Sequence, residues 1–158
     1  MKFNIIICAI AGMAALVSCG TSRKAASTEE LISGSWNITE AMGHAVTTRD
    51  NAAPTISFDI DGKRVSGHAG CNRFMGGFTL NGNGKNSISF TPLAATKMMC
   101  PDMETEQNIF LALDAASRIK GSGHDSIEFR SDSGEVVLMM ERQYLSFAID
   151  LLLARWTA

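Results

Sequence analysis

Hydrophobic and polar residues alternate in short runs along most of this chain. "SWNITEAM" sets Trp36, Ile38 and Glu40 against Asn37 and Thr39, and "TISFDI" sets Ile56, Phe58 and Ile60 against Ser57 and Asp59. A period of two sends alternate side chains to opposite faces, so each run predicts a half-buried β-strand. Asp61-Gly62 then leads into "KRVSGHAG", a hairpin signal. "GFTL" runs into a turn at Asn81, Gly82, Asn83 and Gly84, and "SISF" follows with Ile88 and Phe90 on one face. Further on, "SIEF", "SDSGE" and "VVLMME" read as a final hairpin. Short strands punctuated by Gly and Asn turns predict an antiparallel barrel or sandwich.

One segment departs from period two. In "CPDMETEQNIFLALDAASRI", Pro101 and Asp102 are start signals, and Asp102, Glu104 and Glu106 crowd the first turns, where the helix dipole favours anions. Met103, Ile109, Phe110 and Leu113 fall on one side at helical spacing. The pattern predicts a single helix over about residues 102–117.

The front of the chain is organised differently. Lys2 precedes an apolar run over residues 3–17, broken only by Asn4, and no acidic residue occurs before Glu29. This is the layout of a secretory signal, here residues 1–18. "LVSCG" resembles a bacterial lipobox, with Leu16, Val17 and Ser18 ahead of Cys19, which marks Cys19 for diacylation and cleavage just before it. A membrane-spanning helix is disfavoured, since a span needs about 20 apolar residues. Each buried methylene of an acyl chain contributes about 0.8 kcal/mol, so two or three chains hold far better than one. Gly20 stands where an Asp would resemble an inner-membrane retention signal, and no acidic cluster follows Cys19. The expectation is an outer-membrane lipoprotein on the periplasmic face, with the membrane as its first partner. Residues 19–31, with scarcely a large apolar side chain, read as a flexible tether. A helix start at "STEE" is the less favoured reading there, because no apolar periodicity follows.

Loss of Lys2 with the signal leaves 13 of the 14 basic residues against 16 acidic ones, net −3. Without a basic cluster, nucleic acid is not an expected partner. Of the four cysteines, Cys8 leaves with the signal and Cys19 is lipidated, so Cys71 and Cys100 remain as an even pair in an oxidising compartment. A disulfide between them would staple the helix start to the sheet, with roughly 3–4 kcal/mol of stabilisation in the chain-entropy model. A metal or thiol-redox site needs more ligands than the sequence provides: there is no C-x-x-C, and His44, His68 and His124 are far apart. No metal or cofactor is expected.

The stretches "PTISFDIDGKRVSGHAGCNRFMGGFTL" and "ISFTPLAATKMMCPDMETEQNIFLAL" resemble the META domain family, the HslJ-like heat-inducible bacterial envelope proteins. The residues that carry the resemblance are Trp36, Phe58, Asp61, Gly62, Gly67, Gly70, Cys71, Asn72 and Phe74, then Thr96, Met98 and Cys100, then Glu106, Phe110 and Leu111. It covers about residues 32–142. It implies an α+β fold, a small curled antiparallel sheet forming an incomplete barrel with one helix packed across it. It also implies a non-catalytic role in stress tolerance through partner binding. A similar curled barrel in type III secretion pilot lipoproteins gives the alternative, a lipid- or peptide-binding carrier using the barrel groove; an envelope protein or a lipid is then the candidate ligand. Residues 143–158, "QYLSFAIDLLLARWTA", depart from the family pattern as an apolar tail too short to span a bilayer. Its candidate roles are to cover an apolar groove, to lie in the membrane interface, or none in the native protein.

Catalytic sets are not evident. Asp59 and Asp61 share a strand face, but a solvated face and a turn acid account for them. There is no G-x-S-x-G, H-E-x-x-H or phosphate loop. Asn72 suits a turn that bonds its own backbone, and Arg73 reads as a surface residue.

Overall fold

The computed structural model describes residues 27–46, 53–81, 86–100, 103–122 and 125–143. The lipobox with Cys19, His124, the helix-start residues Pro101 and Asp102, and the apolar segment beyond Gln143 lie outside the described residues.

Ten strands follow in chain order: β1 (Gly34–Ala41), β2 (His44–Ala45), β3 (Thr55–Asp59), β4 (Arg64–His68), β5 (Arg73–Asn81), β6 (Ser87–Phe90), β7 (Ala94–Ala95), β8 (Arg118–Gly121), β9 (Ser126–Arg130) and β10 (Val136–Arg142). Two helices join them, α1 (Thr28–Ile32) and α2 (Glu104–Ala115). The sheet order β10-β9-β8-β6-β5-β4-β3-β1 returns to its start, because β1 also pairs antiparallel with β10 from Trp36↔Arg142 to Ala41↔Leu138. Eight strands therefore close into a barrel, with β2 and β7 as short additions to β1 and β5.

This corrects the expected α+β incomplete barrel: the fold is mostly β and the barrel is closed. The reason lies in β1 and β10, which the sequence places at opposite ends of the domain and which alternation alone cannot pair. Closure removes both sheet edges.

Alternate residues fill the interior. Trp36, Ile38, Ile56, Phe58, Val65, Phe74, Phe78, Ile88, Ile119, Ile127, Phe129, Leu138 and Met140 are all buried. Phe58 packs edge-on against Phe78 and Phe129, with centroids 5.4 and 6.1 Å apart, and Phe90 lies 6.0 Å from Phe129. An eight-stranded barrel has an interior just wide enough for such side chains. The alternation read in β1 stops at Ile38. A register shift between Ile38 and Glu40 turns Ala41 inward and leaves Glu40 half-buried, so Glu40 does not share the face of Trp36 and Ile38.

The helix expected over 102–117 is α2. It packs against β1 and β10 on one wall and β6 on another, so it crosses one end of the barrel. Ile109, Ala112 and Leu113 are buried beneath it, whereas Met103 stays 41% exposed rather than joining that face.

The other helix is a further correction. The expected tether ran to Leu31, but Thr28–Ile32 is helical, with Ser27 accepting from the Glu30 backbone and Glu30 accepting from that of Ser27. This reciprocal cap satisfies two otherwise orphaned donors and substitutes for the missing periodicity. Ile32 is buried, and the Trp36 indole donates to its carbonyl at 2.8 Å.

Candidate functional site

The chemistry-bearing residues of the sequence divide between the two ends of the barrel. The turn at residues 69–72, between β4 and β5, lies under the start of α2. Gly70 opens it at φ +100°, a conformation that side-chain-bearing residues rarely adopt. Gly67 precedes it because a Cβ there would run into the Thr55 carbonyl and the Phe74 ring.

Cys71 and Cys100 are joined by a disulfide, with Cα atoms 6.0 Å apart. The bond ties the β4–β5 turn to the segment that leads into α2. Beside it, Asn72 is 1% exposed and fully engaged. Its amide nitrogen donates to the Met98 carbonyl at 3.0 Å and to the Glu106 carboxyl at 3.0 Å. Its amide oxygen accepts from the Met98 N–H and the Thr96 hydroxyl, both at 2.7 Å. Its backbone N–H donates to Glu106 Oε2 at 2.8 Å. The Asn72 side chain thus pairs with Met98 as a second peptide unit would, and holds α2 through Glu106. Asn72 does sit in a turn, its carbonyl accepting from the Ala69 N–H at 2.8 Å, but the reading that its side chain bonds its own backbone is corrected here, since the side-chain partners lie 24 to 34 positions away.

The resemblance residues are accordingly split. Gly70, Cys71, Asn72, Met98 and Cys100 meet in this corner, and Phe74 sits below it, edge-on to Phe110 at 5.7 Å. Met98 contributes its backbone, while its side chain is 58% exposed. Asp61 and Gly62 lie elsewhere, exposed in the β3–β4 turn, where the Gly62 N–H donates to Asp59 Oδ1 at 3.1 Å. Glu106 and Thr96 also carry the resemblance and also meet here, but their pairing with Asn72 was not read from the sequence. Glu106 carried a signal: it stands three and seven positions before Ile109 and Leu113, which puts an acid on the buried face of α2.

Beyond Glu106 the surface opens into a groove of about 800 Å³ between α2 and the chain after β6. Phe90, Leu93, Met103, Phe110 and Leu111 form its apolar walls, with Asp114 at the rim. Leu111 is 51% exposed, and Met98 and Met99 are exposed on the segment leading into α2. Unbranched methionines adapt to irregular apolar partners.

The described histidines do not converge with acids or thiols. His44 is exposed, and His68 Nδ1 accepts from the Gly70 N–H at 3.3 Å. Among the described residues, no group of three or more His, Cys, Asp and Glu side chains is gathered to hold a metal ion, and no helix is long and apolar enough to cross a membrane. The titration of Glu128, on β9, is clearly displaced. Hydrogen bonds from Ser122 and then Arg130 hold its carboxyl below the usual range, against the opposing effect of burial. Arg130 reaches it at 2.6 Å.

A small closed β-barrel, crossed at one end by a disulfide-tethered helix, is the class this architecture defines. The META domain model matches residues 29–144, and the chain belongs to that family. Among solved structures, a protein from Burkholderia xenovorans is similar, with 27% identity and a TM-score of 0.57 over 75% of this chain and 87% of the other. A DUF4847 family protein from Bacteroides vulgatus shares the fold, with 13% identity and a TM-score of 0.53 over 75% of this chain and 99% of the other. No curated protein matches the sequence.

Proposed function

We propose that this META domain protein is a non-catalytic, HslJ-like lipoprotein of the bacterial envelope that supports stress tolerance by binding a partner. Cys19 carries the acyl chains and the domain stands at the periplasmic face of the outer membrane. The observation that carries the partner-binding part is the groove along α2: an apolar, methionine-flanked surface beside a corner rigidified by Asn72 and the disulfide. A groove on a rigid wall loses little conformational freedom on binding, which favours affinity. Membership of the META family and the lipobox-like sequence support the envelope setting.

The carrier reading is favoured by the same groove, whose volume suits an acyl chain or a short peptide. It draws no support from the barrel interior, where side chains occupy the space.

Native mass spectrometry of the protein purified from the envelope separates the two. A mass two units below the fully reduced value, with no adduct beyond the acyl chains, is the partner-binding outcome; a co-purifying lipid or peptide makes it a carrier. Heat survival of a deletion strain tests the role itself. Wild type restores survival, whereas Leu111→Asp, which charges the groove without touching the core, does not. Full restoration by that variant contradicts the proposal.

A further inference from the structure

The outer wall of β3, β4 and β5 carries a hollow separate from the groove along α2. Register fixes what faces it. Thr55, His68 and Arg73 stand opposite one another in one cross-strand row, and Ser57, Ser66 and Met75 in the next. Both rows point away from the core, since Ile56, Phe58, Val65 and Phe74, which alternate with them, are buried. Directly opposed side chains start about 5 Å apart at Cβ, so each row brings its polar groups within reach of one ligand. Short hydroxyl residues floor the hollow and the longer Arg73 and Met75 side chains of β5 border it, around a volume of about 490 Å³.

Its place in the fold follows from β4. Lys63, in the β3–β4 turn, pairs with Glu29 of α1 at 2.7 Å. Asn72, in the β4–β5 turn, pairs with Glu106 of α2. The strand β4 runs from one turn to the other, so α1 and α2 occupy opposite ends of the barrel. His68 and Arg73 flank the β4–β5 turn, which puts the hollow at the α2 end, beside the cross-linked corner.

The hollow is rich in donors, and no Asp or Glu lines it. His68 Nδ1 accepts from the Gly70 N–H at 3.3 Å. A ring nitrogen that accepts carries no proton, so the neutral imidazole holds its proton on Nε2, which is left as a donor. The Ser35 and Ser57 hydroxyls share one bond at 2.8 Å, and the second of their two hydrogens remains available. Among the described residues, the Thr55 and Ser66 hydroxyls and the Arg73 guanidinium have no hydrogen-bond or ion-pair partner. The Arg73 backbone, by contrast, is fixed. Its N–H donates to the Thr96 hydroxyl at 3.2 Å and its carbonyl accepts from the Thr96 N–H at 3.0 Å. Positioned donors with no acceptor among them call for an anion.

A carboxylate offers two oxygens in one plane. A phosphate offers three in separate directions and carries about −1.5 to −2 charges at pH 7. Donors drawn from three strands and two rows suit the phosphate. The hydroxyl floor gives an acyl chain no apolar bed, which favours a soluble ligand over a lipid headgroup. We propose that this hollow binds the phosphate group of a small soluble phosphomonoester. The Arg73 guanidinium and His68 Nε2–H are its main contacts, and the Thr55 and Ser66 hydroxyls complete them. The site is independent of the partner groove along α2.

The full-length protein, in non-ionic detergent at pH 7, is titrated with inorganic phosphate and separately with acetate, at constant ionic strength made up with chloride. NMR follows the imidazole Cε1–H of His68 and the methyl group of Met75. Phosphate shifts both saturably, leaves His44 unmoved, and binds more tightly than acetate. Arg73→Gln raises its dissociation constant about tenfold or more, through loss of a charge-assisted bond. Lys97→Gln, which removes an exposed cation outside the hollow, leaves the constant unchanged. Both replaced side chains are exposed, so the fold persists in either variant. The inference is overturned if phosphate gives no saturable shift at His68, or the same constant in Arg73→Gln. Equal weakening in Lys97→Gln overturns it too, as that marks diffuse attraction to surface cations. Acetate binding as tightly as phosphate overturns the choice of phosphate. Dihexanoyl phosphatidic acid binding more tightly than glycerol 3-phosphate overturns the choice of a soluble ligand.

Discussion

The two ends of the barrel are secured by different chemistry. At the α2 end, a disulfide and a buried amide, Asn72, bind a turn to a segment and a helix that lie 24 to 34 positions away. At the α1 end, the contacts are a short capped helix, a surface ion pair and one arginine that grips carbonyls and stacks on an indole. The first end is cross-linked around a buried amide, while the second is held by reversible contacts alone. A groove that must keep its shape belongs on the former.

Substitutions sharpen this contrast, beginning with the largest effect. Reduction of Cys71–Cys100, or Cys71→Ala with Cys100→Ala, lowers unfolding free energy by about 3–4 kcal/mol, measured by urea denaturation with and without reductant. Asn72→Ala removes the amide bonds to Glu106 and to the Met98 backbone, though not the backbone N–H bond to Glu106, and costs about 2–3 kcal/mol in the same assay. Arg142→Ala removes the grip on α1 and the stacking on Trp36, at about 1–2 kcal/mol, with the loss read in the exchange protection of residues 28–36. Ser27→Ala removes the α1 cap and costs about 0.5–1 kcal/mol.

Glu128 lies on the wall between the two ends and adds a pH dependence. Its carboxyl is held below its ordinary value, chiefly by Ser122 and Arg130. Ionised Glu128 thus contributes stability fully above the unfolded carboxyl value of about 4.3, and the contribution is lost as pH falls through the lower folded value. Glu128→Gln flattens the acid limb of the stability curve; an unchanged limb would mean that Glu128 carries no such linkage.

Much of this was legible in the sequence, for physical reasons that individual residues show. Ile56 and Phe58 alternate cleanly with Ser57 because β3 has a core on one face only. Cys71 and Cys100 were identifiable as a pair because the signal-like start of the chain gave Cys8 and Cys19 separate expected destinations. Barrel closure was hidden because the pairing of Trp36 with Arg142 joins residues more than a hundred positions apart, and no local pattern encodes it. The α1 helix was legible only as the less favoured reading of "STEE", because a reciprocal cap between Ser27 and Glu30, rather than an apolar stripe, defines it. Asn72 was read as a turn residue because its composition is typical of turns, while its partners are supplied by tertiary structure.

The central claim is that the two ends are held independently, with the disulfide serving α2 and its groove. Hydrogen exchange by mass spectrometry, on oxidised and reduced protein under native conditions, tests it most directly. The account predicts faster exchange after reduction in residues 69–72, 96–100 and 104–115, and unchanged protection in residues 28–36 and 138–142. Loosening spread evenly over both ends, or none at α2, would contradict it.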